Sequence, residues 1–229
     1  MVKEDGGYLV RTPSYKMKDN IQFRSIKATL NEDGQLLANV NTHYAGTQQD
    51  DLHQIIHGYP KPKQLEFLKK GMGGLGTYDV KEFDYKESKG PNPFIDEYIS
   101  LVVESFAQVS GKRLFITPNL LSKNGMKLKD EERINDIELT FEYKDVDSVE
   151  ISIPKGYASE AMPKDISIQS KFGNYNISFK VADDKVIMFR NFERLAGRFA
   201  KTDYKEFVKF YEDIYKADRS KIVLVKKEG

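Results

Sequence analysis

Cysteine is absent from the 229 residues, and histidine occurs only three times. The first absence removes catalytic thiols, zinc–cysteine sites and thiol redox switches. It says little about compartment, because exported proteins also dispense with disulfides. The second confines imidazole chemistry to His43, His53 and His57. Long apolar runs are missing too. Residues 99–103 are already flanked by Glu97 and Glu104, so no membrane span is expected. Residues 1–11 lack a basic stretch followed by an apolar one, and no signal peptide is read there. Neither sign of charge dominates, with 36 Lys plus Arg against 35 Asp plus Glu. The balance of +1 gives no global attraction to nucleic acid or to a membrane surface. No segment repeats at a fixed period.

What is present suits a folded, well-hydrated domain. Hydrophobic residues make up 39% and charged residues 31%, and 13 Tyr with 14 Phe supply apolar area to bury. Residues 1–20 are polar and carry Gly6, Gly7 and Pro13, which reads as a tail or linker. Ile26, Ala28 and Leu30 then alternate, and Asp33-Gly34 separates them from a second alternating run over residues 35–44. Asp and Gly tolerate positive φ, so a β-hairpin is expected. Two helices should follow. The first is opened by a capping box of Thr47 and Asp50, presents Leu52, Ile55 and Ile56, and stops at Gly58 and Pro60. The second starts at Pro62, buries Leu65 and Leu68, and ends at Gly71.

From Thr77 the chain becomes extended again. Tyr78, Val80, Phe83 and Tyr85 predict one strand, residues 90–93 a turn, residues 98–109 a long strand, and residues 113–117 a short one. Residues 123–133 form a polar, lysine-rich loop and the best internal boundary. Beyond it lie short strands: Val149, Ile151 and Ile153; then Ile166 and Ile168; then Tyr175, Ile177, Phe179 and Val181 after a turn at Gly173-Asn174. Asp183-Asp184 turns the chain into a strand over residues 186–192. A helix over residues 203–218, capped by Asp203 and Glu206, carries Tyr204, Phe207, Val208, Tyr211, Ile214 and Tyr215 on one face. Residues 221–226 close as a strand. The expected fold is mainly β, an antiparallel β-sandwich-like architecture with two helices in the N-terminal half and one near the C-terminus. The chain divides into a tail over residues 1–20, a β-rich lobe with two helices over 21–132, and a sandwich lobe over 133–229; the two lobes can also form one continuous domain.

No catalytic or cofactor-binding residue emerges. Gly-x-Ser-x-Gly is absent, and Ser152-Ile153-Pro154-Lys155 places a Ser-x-x-Lys spacing in a strand closed by proline, where the motif needs a helix. Asn31-Glu32-Asp33-Gly34 lacks the closing glutamate of a calcium loop, and residues 71–76 lack the Gly-Lys-Ser/Thr of a phosphate cradle. Asp50-Asp51, Glu131-Glu132 and Asp183-Asp184 are adjacent in sequence rather than opposed across a cleft, as glycosidase carboxyls must be. His53 and His57, four apart on a helix, can converge on one metal ion, with Asp50 as a third ligand. The residues between them lack the glutamate base of a His-Glu-x-x-His enzyme, so no metal is assigned and the trio stands only as a candidate. Lysines 61, 63, 69 and 70 read as a solvated helix face, and the aromatics as core.

Several segments together resemble a known family. They are residues 26–46 (IKATLNEDGQLLANVNTHYAG), 113–121 (RLFITPNLL), 147–162 (DSVEISIPKGYASEAM) and Phe172-Gly173-Asn174-Tyr175, followed by Arg190, residues 204–215 and residues 217–224. In order and spacing these resemble the uncharacterised C-terminal β domain that follows the transglutaminase-like core in secreted Bacteroidetes-type proteins. The resemblance runs from about Asn20 onward and departs from the family at residues 200–203, where a proline often precedes the last helix. It implies that the reactive cysteine belongs to a core this sequence does not contain, so no catalytic residue carries over. It further implies a periplasmic or extracellular setting, and a noncatalytic role supporting that core or presenting substrate to it. The expected partner is then the transglutaminase-like core of the same polypeptide. The alternative is an independent module binding a glycan or a peptide through a sheet edge or an aromatic platform.

Overall fold

The computed structural model describes residues 2–3, 6–7, 15–126, 128–129, 133–182 and 184–227. Near the start, β1 (Val2–Lys3) and β2 (Gly6–Gly7) pair with each other. The first long hairpin is β3 (Ile21–Leu30) with β4 (Leu36–Ala45), turned at Gly34 with φ +86. Helices α1 (Asp50–Gly58) and α2 (Lys61–Gly71) follow, then the hairpin of β5 (Tyr78–Ser88) and β6 (Phe94–Val103). Short strands β7 (Gln108–Ser110), β8 (Arg113–Ile116) and β9 (Ile137–Leu139) lead to the long β10 (Tyr143–Ser152). The remainder is β11 (Tyr157–Ala161), β12 (Ile166–Ser170), β13 (Gly173–Ala182), β14 (Lys185–Arg194), β15 (Gly197–Phe199), α3 (Tyr204–Ala217) and β16 (Ile222–Lys226).

Eight strands form the main sheet in the order β12-β13-β14-β10-β3-β4-β6-β5. Every pairing in it is antiparallel except that of β3 with β10, which is parallel and joins the two halves of the chain. A second sheet, β11-β16-β8-β7, buries Leu114, Ile116, Ile222 and Leu224 in the same core as Ile26, Val40, Ile99, Val149 and Ile177 of the main sheet. The mainly β, antiparallel-dominated fold with two helices before residue 75 and one near the end is therefore as expected. One face of the main sheet is covered, and α3 seals part of it. Phe207, Phe210 and Tyr211 meet Phe172 and Phe192 with ring centroids 4.9–6.4 Å apart. Helices α1 and α2 cover another part, where Leu52, Ile55, Phe67 and Leu68 overhang Tyr44, Tyr85 and Ile99.

Several local readings are corrected. Neither capping box forms. Thr47 lies in a 3-10 turn, where its hydroxyl donates to Asn20 Oδ1 at 3.0 Å. Asp203 accepts from Lys171 at 2.9 Å, and Glu206 accepts from the Ser170 hydroxyl at 3.1 Å. Tertiary partners outcompete the helix ends for these side chains. Helix α2 buries Gln64 rather than Leu65 and Leu68, which are half-buried. The Gln64 amide donates to the Ile56 and Tyr59 carbonyls at 3.1 and 2.7 Å, satisfying acceptors that the end of α1 leaves open. Residues 98–109 are two strands rather than one, because the Ala107 amide donates to the Gly34 carbonyl at 3.0 Å and pins a turn there. Gly173 is the first residue of β13, not part of a turn. A Cβ at that position would lie 2.1 Å from the Glu193 carbonyl oxygen, so glycine permits the close approach of two backbones. The break in alternation between Val80 and Phe83 is a bulge between Val80 and Glu82. The expected turn at Asp183-Asp184 falls partly on Asp183, and residues 127 and 130–132 of the lysine-rich loop, with Glu131-Glu132, also lie outside the described residues, as do residues 1, 4–5 and 8–14 of the N-terminal tail.

Candidate functional site

The two histidines on α1 converge, but not on Asp50. One helical turn apart, their rings sit with centroids 4.5 Å apart, and both face Glu87, the penultimate residue of β5. His53 Nδ1 contacts Glu87 Oε1, and His57 Nε2 lies 2.9 Å from Glu87 Oε2. Their ligating atoms all fall within 4.8 Å of one another. The two imidazoles are about half exposed, whereas the Glu87 side chain is only 15% exposed. Hydrogen bonds from His57 and His53 hold the Glu87 carboxyl down at about 2. Asp50 instead accepts a hydrogen bond from the Gln49 amide at 2.7 Å. The third histidine, His43, lies on β4 and pairs with Asp96 of β6 at 2.7 Å. Nothing in sequence spacing could have found Glu87, because its approach depends on how the β5–β6 hairpin is laid under α1.

Beneath the helices runs a buried chain of alternating charge that sequence reasoning missed. Glu97 accepts from the Tyr44 hydroxyl at 3.1 Å, and burial raises its carboxyl above the ordinary range. Tyr44 is itself pushed up to about 12, chiefly by burial, and lies 3.3 Å from Arg24 Nη2. Arg24 also donates to Thr42 at 3.2 Å and to Ser122 at 2.7 Å, and lies 3.6 Å from Asp147. Asp147 accepts from Arg190 at 3.1 Å, and Arg190 donates to Asp218 at 2.8 Å. Asp218 closes the chain, accepting from Tyr175, Asn119 and the Asn124 backbone amide at 2.7–2.8 Å. Arg24, Asp147, Arg190 and Asp218 each have a partner of opposite sign and further hydrogen bonds, so the chain is a structural cross-link between main sheet, α3 and residues 119–124. The only sequence sign of it was a set of charged residues at positions whose neighbours alternate as core.

The opposite face of the main sheet is open. Register across the strands places Ser178, Phe189, Ser148, Ser25, Asn41 and Tyr98 in one row, and Asn176, Asn191, Val146, Phe23, His43 and Asp96 in the next. Small Ser and Asn side chains make a low floor, and Phe23 (45% exposed) and Phe189 (48%) stand above it. The result is a shallow trough of about 570 Å³ lined by Phe23, Ser25, Asn41, Tyr98, Val146 and Ser148 among others. Among the described residues no helix is long and apolar enough to cross a membrane.

Residues 112–224 match the model of a family described as "Domain of Unknown Function with solved-structure structure (DUF3858)". No curated protein matches the chain. Among solved structures, it is similar to one described as a "putative protease" from Parabacteroides distasonis, with a TM-score of 0.44 and 14% identity. The match covers 52% of this chain and 24% of that one, so it spans about a quarter of the neighbour's length.

Proposed function

We propose that the chain is a noncatalytic accessory module of an exported, transglutaminase- or protease-like polypeptide, in a periplasmic or extracellular setting. Its role is to support the neighbouring core or to present substrate to it. The observation that carries this reading is the open face of the eight-stranded main sheet, which keeps the Phe23 and Phe189 side chains in solvent. The ordered segments that resemble the family's C-terminal domain support it as well. To test it, the core of the parent polypeptide is assayed with and without this chain, and with Phe23→Ser and Tyr98→Ser in its trough. Deletion and trough variants should raise KM for a protein substrate by about tenfold, the kinetic effect of about 1.4 kcal/mol, with kcat retained. Unchanged core kinetics after deletion, or turnover by the isolated chain, would sink the proposal.

A second reading is favoured by the Ser and Asn floor beside exposed rings, which offers hydrogen bonds and stacking together. On that reading the chain is an independent glycan- or peptide-binding module. The isolated chain should then bind an oligosaccharide or peptide, and the Tyr98→Ser variant should lose that binding.

A further inference from the structure

We propose that His53, His57 and Glu87 bind one divalent transition-metal ion, Zn²⁺ fitting the donor set best, and that the ion fastens α1 to β5. The donors are two imidazole nitrogens and one carboxylate, with no thiolate anywhere in the chain. Imidazole donors favour Zn²⁺ and its neighbours over Ca²⁺ and Mg²⁺, which prefer all-oxygen sets. Three protein ligands with water in the fourth position is an ordinary tetrahedral arrangement. With ligand bonds of about 2.0–2.1 Å, such an ion holds its donors roughly 3.3 Å apart. The three donor atoms already lie within 4.8 Å of one another, so side-chain rotation alone closes the site.

The elements prepare this geometry. The spacing of four puts both rings on one side of α1, and the β5–β6 hairpin carries Glu87 to them. One competing charge is present: Lys89 Nζ lies 3.6 Å from Glu87 Oε2, but Lys89 is 72% exposed and can swing into water. In the metal-free chain each histidine shares a hydrogen with Glu87 through the nitrogen that would ligate. On binding, Nδ1 of His53 and Nε2 of His57 give up that hydrogen. It moves to the other nitrogen of a neutral ring, or to solvent from a charged one. Exposure of both rings leaves an entry path and a place for the water ligand.

The test is calorimetric titration of Zn²⁺ into the chelator-stripped full chain, with thermal unfolding as a second readout. One ion per chain should bind, and His57→Ala and Glu87→Gln should each weaken it by about tenfold or more. Zn²⁺ should raise the Tm of the wild-type chain and raise that of His57→Ala by less at the same concentration. Asp50→Asn should bind as the wild type does, which separates this ligand set from one completed on the helix alone. Both histidines are surface residues, so unchanged circular dichroism of the variants is the control for folding. Absence of saturable binding would overturn the site, as would full-strength binding by a His53→Ala/His57→Ala double variant. Loss of binding in His57→Ala but not in Glu87→Gln would overturn the link to β5.

Discussion

Asp218 sits at the C-terminal end of α3, where the helix dipole disfavours a carboxylate. It is fully buried there and survives because Arg190, Tyr175, Asn119 and the Asn124 amide all donate to it. Removing one member of a buried pair of this kind costs about 3–5 kcal/mol, because the other charge is left without compensation. Glu97 marks the opposite end of the same chain and differs in kind, since burial keeps its carboxyl raised. A raised carboxyl holds its proton more tightly in the folded chain than in the unfolded one. Its contribution to stability is therefore complete below the unfolded value, near about 4.3, and is lost as pH rises through the folded value. Glutamine cannot titrate, so Glu97→Gln should gain stability relative to wild type as pH rises from about 4 to 8. Urea midpoints across that range measure the difference, and a flat difference would contradict the raised carboxyl.

Among elements, α3 shows how far periodicity reaches. Phe207, Val208, Tyr211 and Ile214 are buried as their spacing predicts, while Tyr204 and Tyr215 reach only half burial at the margins. Phe210 and Ala217 join the buried face because the helix lies in a groove walled by Phe172 and Phe192, which widens the contact beyond one stripe. Ile214→Ala should lower the unfolding free energy by about 2–5 kcal/mol. A loss under about 0.5 kcal/mol in denaturant titration would mean that this face is not packed. Helices α1 and α2 tell the complementary story. Their existence follows from apolar spacing and from Gly58, Pro60 and Gly71, but the 3-10 turn before α1 is held by Asn20, 27 residues upstream of Thr47, and Gln64 joins the two helices through carbonyls at the end of α1.

At the scale of the whole molecule, the parallel pairing of β3 with β10 is decisive. Residues 21–30 and 143–152 are separated by more than a hundred residues, yet nine successive Cα partners, from Ile21 with Lys144 to Thr29 with Ser152, align them. The main sheet therefore takes four strands from each side of the polar loop after residue 122. We expect one cooperative unfolding transition, because no boundary can part the two lobes without tearing the centre of this sheet. Near-UV signals from tyrosines and far-UV signals from strands should coincide along a urea titration. Two separated midpoints would show that the halves fold independently.

By itself the sequence determined which segments extend, which coil, and where most turns fall. Alternation, helical spacing and turn residues act between neighbours a few positions apart, as at Asp33-Gly34 or along Tyr175 to Val181. It also excluded thiol chemistry outright. Only the tertiary structure decided that Glu87 rather than Asp50 faces His53 and His57, that Arg24, Asp147, Arg190 and Asp218 form one buried chain, and that Phe23, Tyr98 and Phe189 share an open face. Those contacts depend on strand order and on the parallel join of β3 and β10. Such long-range register is set by the energy of the assembled core and leaves no short-range pattern in the chain.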